Sequence, residues 1–147
     1  MTGGTVGVLA CPVCSSRLSP IPDGARCERG HQFDMARQGY LNLLPSGTRS
    51  AAGDSAEMVA ARARFLAGGH FDGIAEAVAR AARQACANAA GEPSSPPVVV
   101  EIGAGTAFYL ARVLDALPEA IGVALDSSRY AARRAARAHG RAIAVVA

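Results

Sequence analysis

The chain of 147 residues carries 15 Lys plus Arg against 12 Asp plus Glu, a formal net charge of +3, and every one of those cations is an arginine. At 50% hydrophobic and 18% charged residues it is too apolar for the disordered class, and its length allows one ordinary core, or one small core plus a metal-stapled module, rather than two full domains. No basic segment leads into an apolar run and no apolar stretch approaches about 20 residues, so neither a secretory signal nor a membrane span is expected; cytoplasmic placement follows.

Residues 1–10 hold three glycines and read as a flexible lead-in. Residues 11–45 form the first unit. Cys11-Pro-Val-Cys14 is followed, after a gap of twelve residues, by Cys27 and then His31. Turn-prone Pro20, Pro22, Asp23 and Gly24 separate the two pairs. In a reducing compartment three thiols and an imidazole on two tight turns point to metal rather than disulfides. Soft thiolates with imidazole select Zn(II), and four protein ligands leave no position for water, which makes the ion structural. Chance spacing of small core residues is the bland alternative. A redox role for Cys11 and Cys14 would leave Cys27 and His31 unexplained. Cys86 falls on the apolar face of a helix and reads as core, while His70 and His139 read as caps or solvated surface.

Residues 46–53 read as a flexible linker. Two helices are predicted over 54–90. In the first, Asp54 caps the opening turn with Glu57 reaching back, Met58, Ala61, Phe65 and Leu66 form the apolar face, and Gly68-Gly69 stop it. The second runs from about Asp72 to Ala90 with Ile74, Ala77, Val78, Ala81, Ala82, Ala85 and Cys86 on one side. Residues 91–97, rich in proline and serine, are a second linker.

Over 98–147 the pattern is strand (98–102), glycine turn, helix (107–116), strand (120–125), helix (128–138) and a short apolar run (142–146). Strands alternating with helices predict a parallel sheet, here with three strands where a doubly wound sheet has five or more, so one flank is left uncovered. The fold class is therefore α/β: a zinc-ribbon-like module, a helical segment, and the first half of a Rossmann-like sheet.

Val98-Val-Val-Glu-Ile-Gly-Ala-Gly-Thr-Ala107 carries the second candidate site. Gly103 and Gly105 let backbone approach a ligand, with Ala107 where many such loops have a third glycine. Asp126 follows Gly105 by 21 residues, where an acidic side chain accepts hydrogen bonds from a ribose diol. Dinucleotide sites usually keep an apolar residue at the position of Glu101. A carboxylate there suits the sulfonium or amino-acid end of S-adenosylmethionine, which favours that cofactor over NAD. Alternatively Glu101 is simply solvated and Asp126 caps a helix. Arg129, Arg133, Arg134, Arg137 and Arg141 form a basic run that either meets phosphate or is a solvated face.

A longer pattern carries a resemblance. The run from Cys11 through Cys27-x-x-Gly-His31-Gln-Phe-Asp-Met-Ala-Arg-x-Gly-Tyr-x-Asn-Leu-Leu-Pro45, then Gly53-Asp-Ser-Ala-Glu-Met58, Ala61-Arg62 and Phe65-Leu66-x-x-Gly-His70, resembles the large-subunit (23S) ribosomal RNA guanine-N1 methyltransferases. That family includes enzymes conferring resistance to macrolides such as tylosin. The resemblance implies a zinc module for RNA recognition, an S-adenosylmethionine domain that works as a homodimer, and large-subunit ribosomal RNA as partner. The four zinc ligands carry over directly. Gly103, Gly105, Thr106 and Asp126 carry over as cofactor contacts, together with Phe71 at a position where family members often have tyrosine. Family members continue for about another half domain, and no catalytic base is assigned among the residues here. Two other functions remain open at this point: a non-enzymatic zinc-ribbon RNA-binding protein with a vestigial second part, and an NAD-dependent oxidoreductase.

Overall fold

The computed structural model describes residues 3–44, 53–89 and 95–147. In chain order the elements are α1 (Gly3–Val6), β1 (Leu18–Ile21), β2 (Gly24–Cys27), β3 (Gln32–Asp34), β4 (Tyr40–Asn42), α2 (Ala56–Ala67), α3 (Asp72–Asn88), β5 (Val98–Ile102), α4 (Phe108–Ala116), β6 (Ile121–Asp126), α5 (Arg129–Ala135) and β7 (Ala142–Val146). The expected connections at 46–52 and 91–94 lie outside the described residues, as do Pro45 and Ala90. Among the described residues, no helix is long and apolar enough to cross a membrane.

The first sheet is an antiparallel meander, β1-β2-β3. Ile21 pairs with Gly24, so Pro22 and Asp23 form the two-residue turn. Proline fixes φ and offers no N–H to a ladder, which ends β1 where the sequence predicts a turn. At Gly24 the backbone passes so close to β3 that a Cβ would lie 2.0 Å from the Phe33 carbonyl oxygen. Only glycine fits.

The second sheet is parallel and has four strands in the order β4-β7-β6-β5. Three of them are the predicted ones, within a residue of their expected bounds. The fourth corrects the expectation of a three-strand sheet: Tyr40, Leu41 and Asn42, which the sequence assigns to the zinc module, pair in register with Ala144, Val145 and Val146. The outer strand on the opposite side is β5.

Alternation along these strands builds two cores. Tyr40, Ala124, Ala142, Ala144 and Val146 face Leu110 and Leu114 of α4 and Ala132 and Ala135 of α5. Alanine on both sides lets the helices lie close, and a Cβ on Gly122 would meet Leu114 Cδ1 at 2.7 Å. On the other face Leu41, Val123, Ile143 and Val145 join Val6, Cys11, Leu18, Ala25, Cys27 and Phe33 in a single cluster. The zinc-bearing meander thus packs on the parallel sheet and shares its core. It covers β6 and β7 but not β5, whose Val98, Val100 and Ile102 stay exposed, Ile102 at 85%.

Several local expectations are corrected by packing. Within the expected lead-in, Thr5 and Val6 are buried and Val6 belongs to the shared core, while residues 1–2 lie outside the described residues. Helix α2 is capped by Ser55, whose Oγ accepts the Met58 N–H, and not by Asp54. Its buried residue is Val59, while Met58 and Phe65 are exposed. Helix α3 turns Ala75 and Ala79 inward and leaves Ile74 and Val78 exposed. In an alanine-rich helix the small side chains permit the closest approach to α4, so the bulkier ones stay outside.

Candidate metal centre and cofactor site

The metal centre is assembled by two backbone knuckles. Ser15 adopts φ 59°, folding the chain after Cys14 so that its N–H donates to the Cys11 carbonyl at 2.8 Å. Gly30 at φ 85° does the same before His31, with its N–H donating to the Cys27 carbonyl at 3.0 Å. Glycine is the natural residue there, since a side chain in the left-handed region is strained.

These turns bring Cys11, Cys14, Cys27 and His31 together with their ligand atoms all within 4.8 Å of one another. Cys14 Sγ is 3.7 Å from Cys27 Sγ, and His31 Nδ1 is 3.6 Å from Cys11 Sγ and 3.3 Å from Cys27 Sγ. A tetrahedral zinc with about 2.3 Å to sulfur and 2.0–2.1 Å to nitrogen separates its ligands by about 3.8 Å (S to S) and 3.5 Å (S to N). The donors therefore sit where one zinc ion holds them, and all four sequence-predicted ligands converge. The Ser16 backbone N–H bonds the Cys14 sulfur and holds that thiol down to about 6, whereas burial pushes the Cys11 thiol up. A zinc ion takes both as thiolates. Cys86, on α3, is no part of the cluster.

The second site lies at the carboxyl ends of the parallel strands, where α/β sheets bind ligands. Gly103 (φ 67°) and Gly105 (φ 55°) shape the turn after β5. Asp126 at the end of β6 braces it: Oδ2 accepts the Gly105 N–H at 2.8 Å and Oδ1 accepts the Ser128 N–H at 2.7 Å. A carboxylate has about four lone-pair sites, so Asp126 keeps acceptor capacity for a ligand. Ala107 takes the left-handed conformation at φ 56° as the N-cap of α4, but has no side chain to cap with. Glu101 replaces that cap, its Oε2 accepting the Leu110 N–H at 3.2 Å. Burial raises its carboxyl, with this bond partly opposing.

A cleft of about 490 Å³ opens beside the turn, between Ile102 and Gly103, the Leu125–Ser127 stretch, Ala147, and Gly53, Asp54 and Arg62. Of the residues predicted to contact cofactor, Gly103 and Asp126 line it, Gly105 is tied to Asp126, and Thr106 follows in the same turn. Glu101 instead caps α4. Phe71 packs edge-on against Phe65, with centroids 5.6 Å apart, and does not line the cleft. The contribution of Asp54 and Arg62 was not foreseen. In the sequence Asp54 reads as a helix cap and Arg62 only as part of the Ala61-Arg62 piece of the resemblance; the structure gives the cap to Ser55 and leaves Asp54 on the cleft.

The basic run also divides. Arg129, Arg133, Arg134 and Arg137 are exposed, and Arg133 lies over the Tyr130 ring at 5.6 Å. Arg141 turns inward, donating to the carbonyl oxygens of Leu114, Leu117 and Ala120 behind α4. It serves as a helix C-terminal clamp and leaves the stripe.

With this geometry in place, comparison with known proteins is direct. Residues 9–51 match the zinc-ribbon family described as RlmA, N-terminal. The chain is 51% identical over 149 residues to a protein of Micromonospora griseorubida named as a 23S rRNA guanine-N1 methyltransferase, covering 94% of this chain and 50% of that protein. It is 48% identical over 147 residues to the 23S rRNA (guanine(748)-N1)-methyltransferase of Streptomyces fradiae, covering 100% of this chain and 50% of that protein. A shorter similarity, 36% over 72 residues, links it to a Bacillus subtilis (strain 168) protein named for the same activity. The chain spans about half the length of the first two relatives and is similar to these 23S rRNA guanine-N1 methyltransferases along nearly all of its own length, with the zinc-ribbon match at residues 9–51.

Proposed function

We propose that this chain is the zinc-ribbon and cofactor-binding part of an S-adenosylmethionine-dependent methyltransferase acting on guanine N1 of large-subunit ribosomal RNA. The observation that carries the proposal is the glycine turn braced by Asp126 at the lip of a cleft, in a chain whose relatives bear that activity in their names.

When bound, the cofactor would supply an electrophilic methyl carbon: guanine N1 attacks it in line, the bond to sulfur breaks, S-adenosylhomocysteine leaves, and the N1 proton passes to a general base. The residues of this chain position the cofactor. Asp126 offers its spare lone pairs to the ribose hydroxyls while fixing the Gly105 amide. Gly103 presents bare backbone to the cleft. The zinc ribbon contributes shape and backbone contacts to an RNA loop rather than chemistry, and the exposed arginines of α5 offer phosphate contacts. The same reading places the protein in the cytoplasm and has it act as a homodimer.

Calorimetric titration of the zinc-loaded chain with S-adenosylhomocysteine tests it, with one saturable site expected. Saturable NADH binding undisturbed by S-adenosylhomocysteine would instead support a dinucleotide enzyme. Zinc-dependent RNA binding with no cofactor affinity would support a purely RNA-binding protein.

A further inference from the structure

The wall of the cleft beside the strand ends includes an ion pair between Arg62 of α2 and Asp54, just ahead of that helix, which neither the turn nor the sheet requires. The Arg62 guanidinium pairs with the Asp54 carboxylate, and the two side chains remain 49% and 23% exposed toward the cleft they line. As a partly solvated pair it contributes little to stability. Asp54 is not used as the helix cap, a role that Ser55 fills.

The pair has a fixed address. Ser128 Oγ donates to the Asp54 carbonyl at 2.8 Å, and a Cβ on Gly53 would lie 2.9 Å from Ser128 Cβ. The turn that follows Asp126 therefore also pins the chain just ahead of α2. Arg62 Nη1 lies 3.6 Å from where a Cβ on Gly105 would stand, an ordinary contact distance that puts the guanidinium beside the glycine turn.

The two polar ends of an adenosyl-amino-acid ligand match this layout. Its ribose diol donates, as Asp126 requires. Its other end is a zwitterion, which needs a cation for the carboxylate and an acceptor for the ammonium, across the glycine turn from the ribose. A planar guanidinium binds carboxylate through two parallel N–H bonds, which a compact ammonium does not. Resting on the cofactor proposed above, we infer that Arg62 and Asp54 receive the amino-acid end of the ligand, the guanidinium on its α-carboxylate and the Asp54 carboxylate on its α-ammonium.

Two commercially defined probes separate this from a general effect on the cleft. S-adenosylhomocysteine carries the amino-acid end, and 5′-methylthioadenosine lacks it while keeping adenosine and sulfur. Both are titrated calorimetrically into the zinc-loaded full chain. Arg62→Ala is expected to weaken S-adenosylhomocysteine about tenfold, about 1.4 kcal/mol, and to leave 5′-methylthioadenosine within about twofold. Arg62→Lys is expected to recover part of the loss. If Arg62→Ala shifts the thermal transition, Arg62→Gln keeps the stem and hydrogen-bonding capacity and serves for the same comparison. An equal loss for both ligands, or none for either, overturns the inference. Failure of the unmodified chain to bind either ligand overturns the cofactor reading itself.

Discussion

Leu41→Ala puts the packing of the zinc ribbon on the sheet to a quantitative test. Leu41 pairs with Val145 in β4–β7, bridges to Met35 on the ribbon side, and is 0% exposed within the core both parts share. Truncating its isobutyl side chain to a methyl leaves a cavity between two layers that cannot collapse without breaking the β4 register. Fully buried Leu→Ala changes cost about 2–5 kcal/mol, against a total stability of about 5–15 kcal/mol for a domain. A loss of about 3 kcal/mol lowers the melting temperature by roughly 10 °C at this chain length. The assay heats the zinc-loaded protein while following far-UV circular dichroism and zinc capture by a colorimetric chelator. Both signals are expected to shift together by that amount, because ribbon and sheet melt as one unit. If zinc escapes at a lower temperature while the helical transition stays at the wild-type value, the shared core does not couple the two parts.

Cys27→Ser removes one thiolate from a site whose zinc adds about 10–16 kcal/mol in comparable modules. It should abolish stoichiometric zinc and cooperative melting, measured by metal analysis and calorimetry. Gly24→Ala, which drives a methyl into the Phe33 carbonyl, should lower zinc affinity although Gly24 is no ligand; an unchanged zinc titration would show that β2 and β3 have room to part. For Glu101, burial raises the folded carboxyl above its ordinary 4.5, so ionisation at higher pH opposes folding. Glu101→Gln can keep the bond from the Leu110 N–H. It should therefore be more stable than the parent at pH 7, with the difference vanishing as pH falls below about 4. Denaturant midpoints at the two pH values check this, and a difference that persists in acid would assign it to packing instead.

What could be read from the chain in advance follows the range of the interactions. The zinc ligands were legible because each pair sits within one tight turn, where spacing dictates geometry. The glycine turn and Asp126 were legible because a strand, a turn and the next strand end form one local unit. Strand β4 was hidden: three residues are too few for a pattern, and the strand they pair with lies at the far end of the chain. Leu41 and Leu43 fall within the unit expected over 11–45, and the structure makes them core of two layers at once. In α2, alanine-rich sequence offers several apolar stripes, and tertiary packing chose Val59 over Met58 and Phe65. Arg141 looked like its neighbours, and only the fold brings the α4 carbonyls within its reach. The bond by which Glu101 holds the Leu110 N–H was not legible, because it depends on Ala107 being an N-cap with no side chain for the task.

Hydrogen exchange of the zinc-loaded chain, with and without saturating S-adenosylhomocysteine, most directly tests whether the braced turn is the cofactor site. The amides of Gly105 and Ser128, both bonded to Asp126, should exchange more slowly with ligand, together with the 103–107 turn. Protection confined to the ribbon, or a turn that exchanges at the same rate under saturation, would contradict the account.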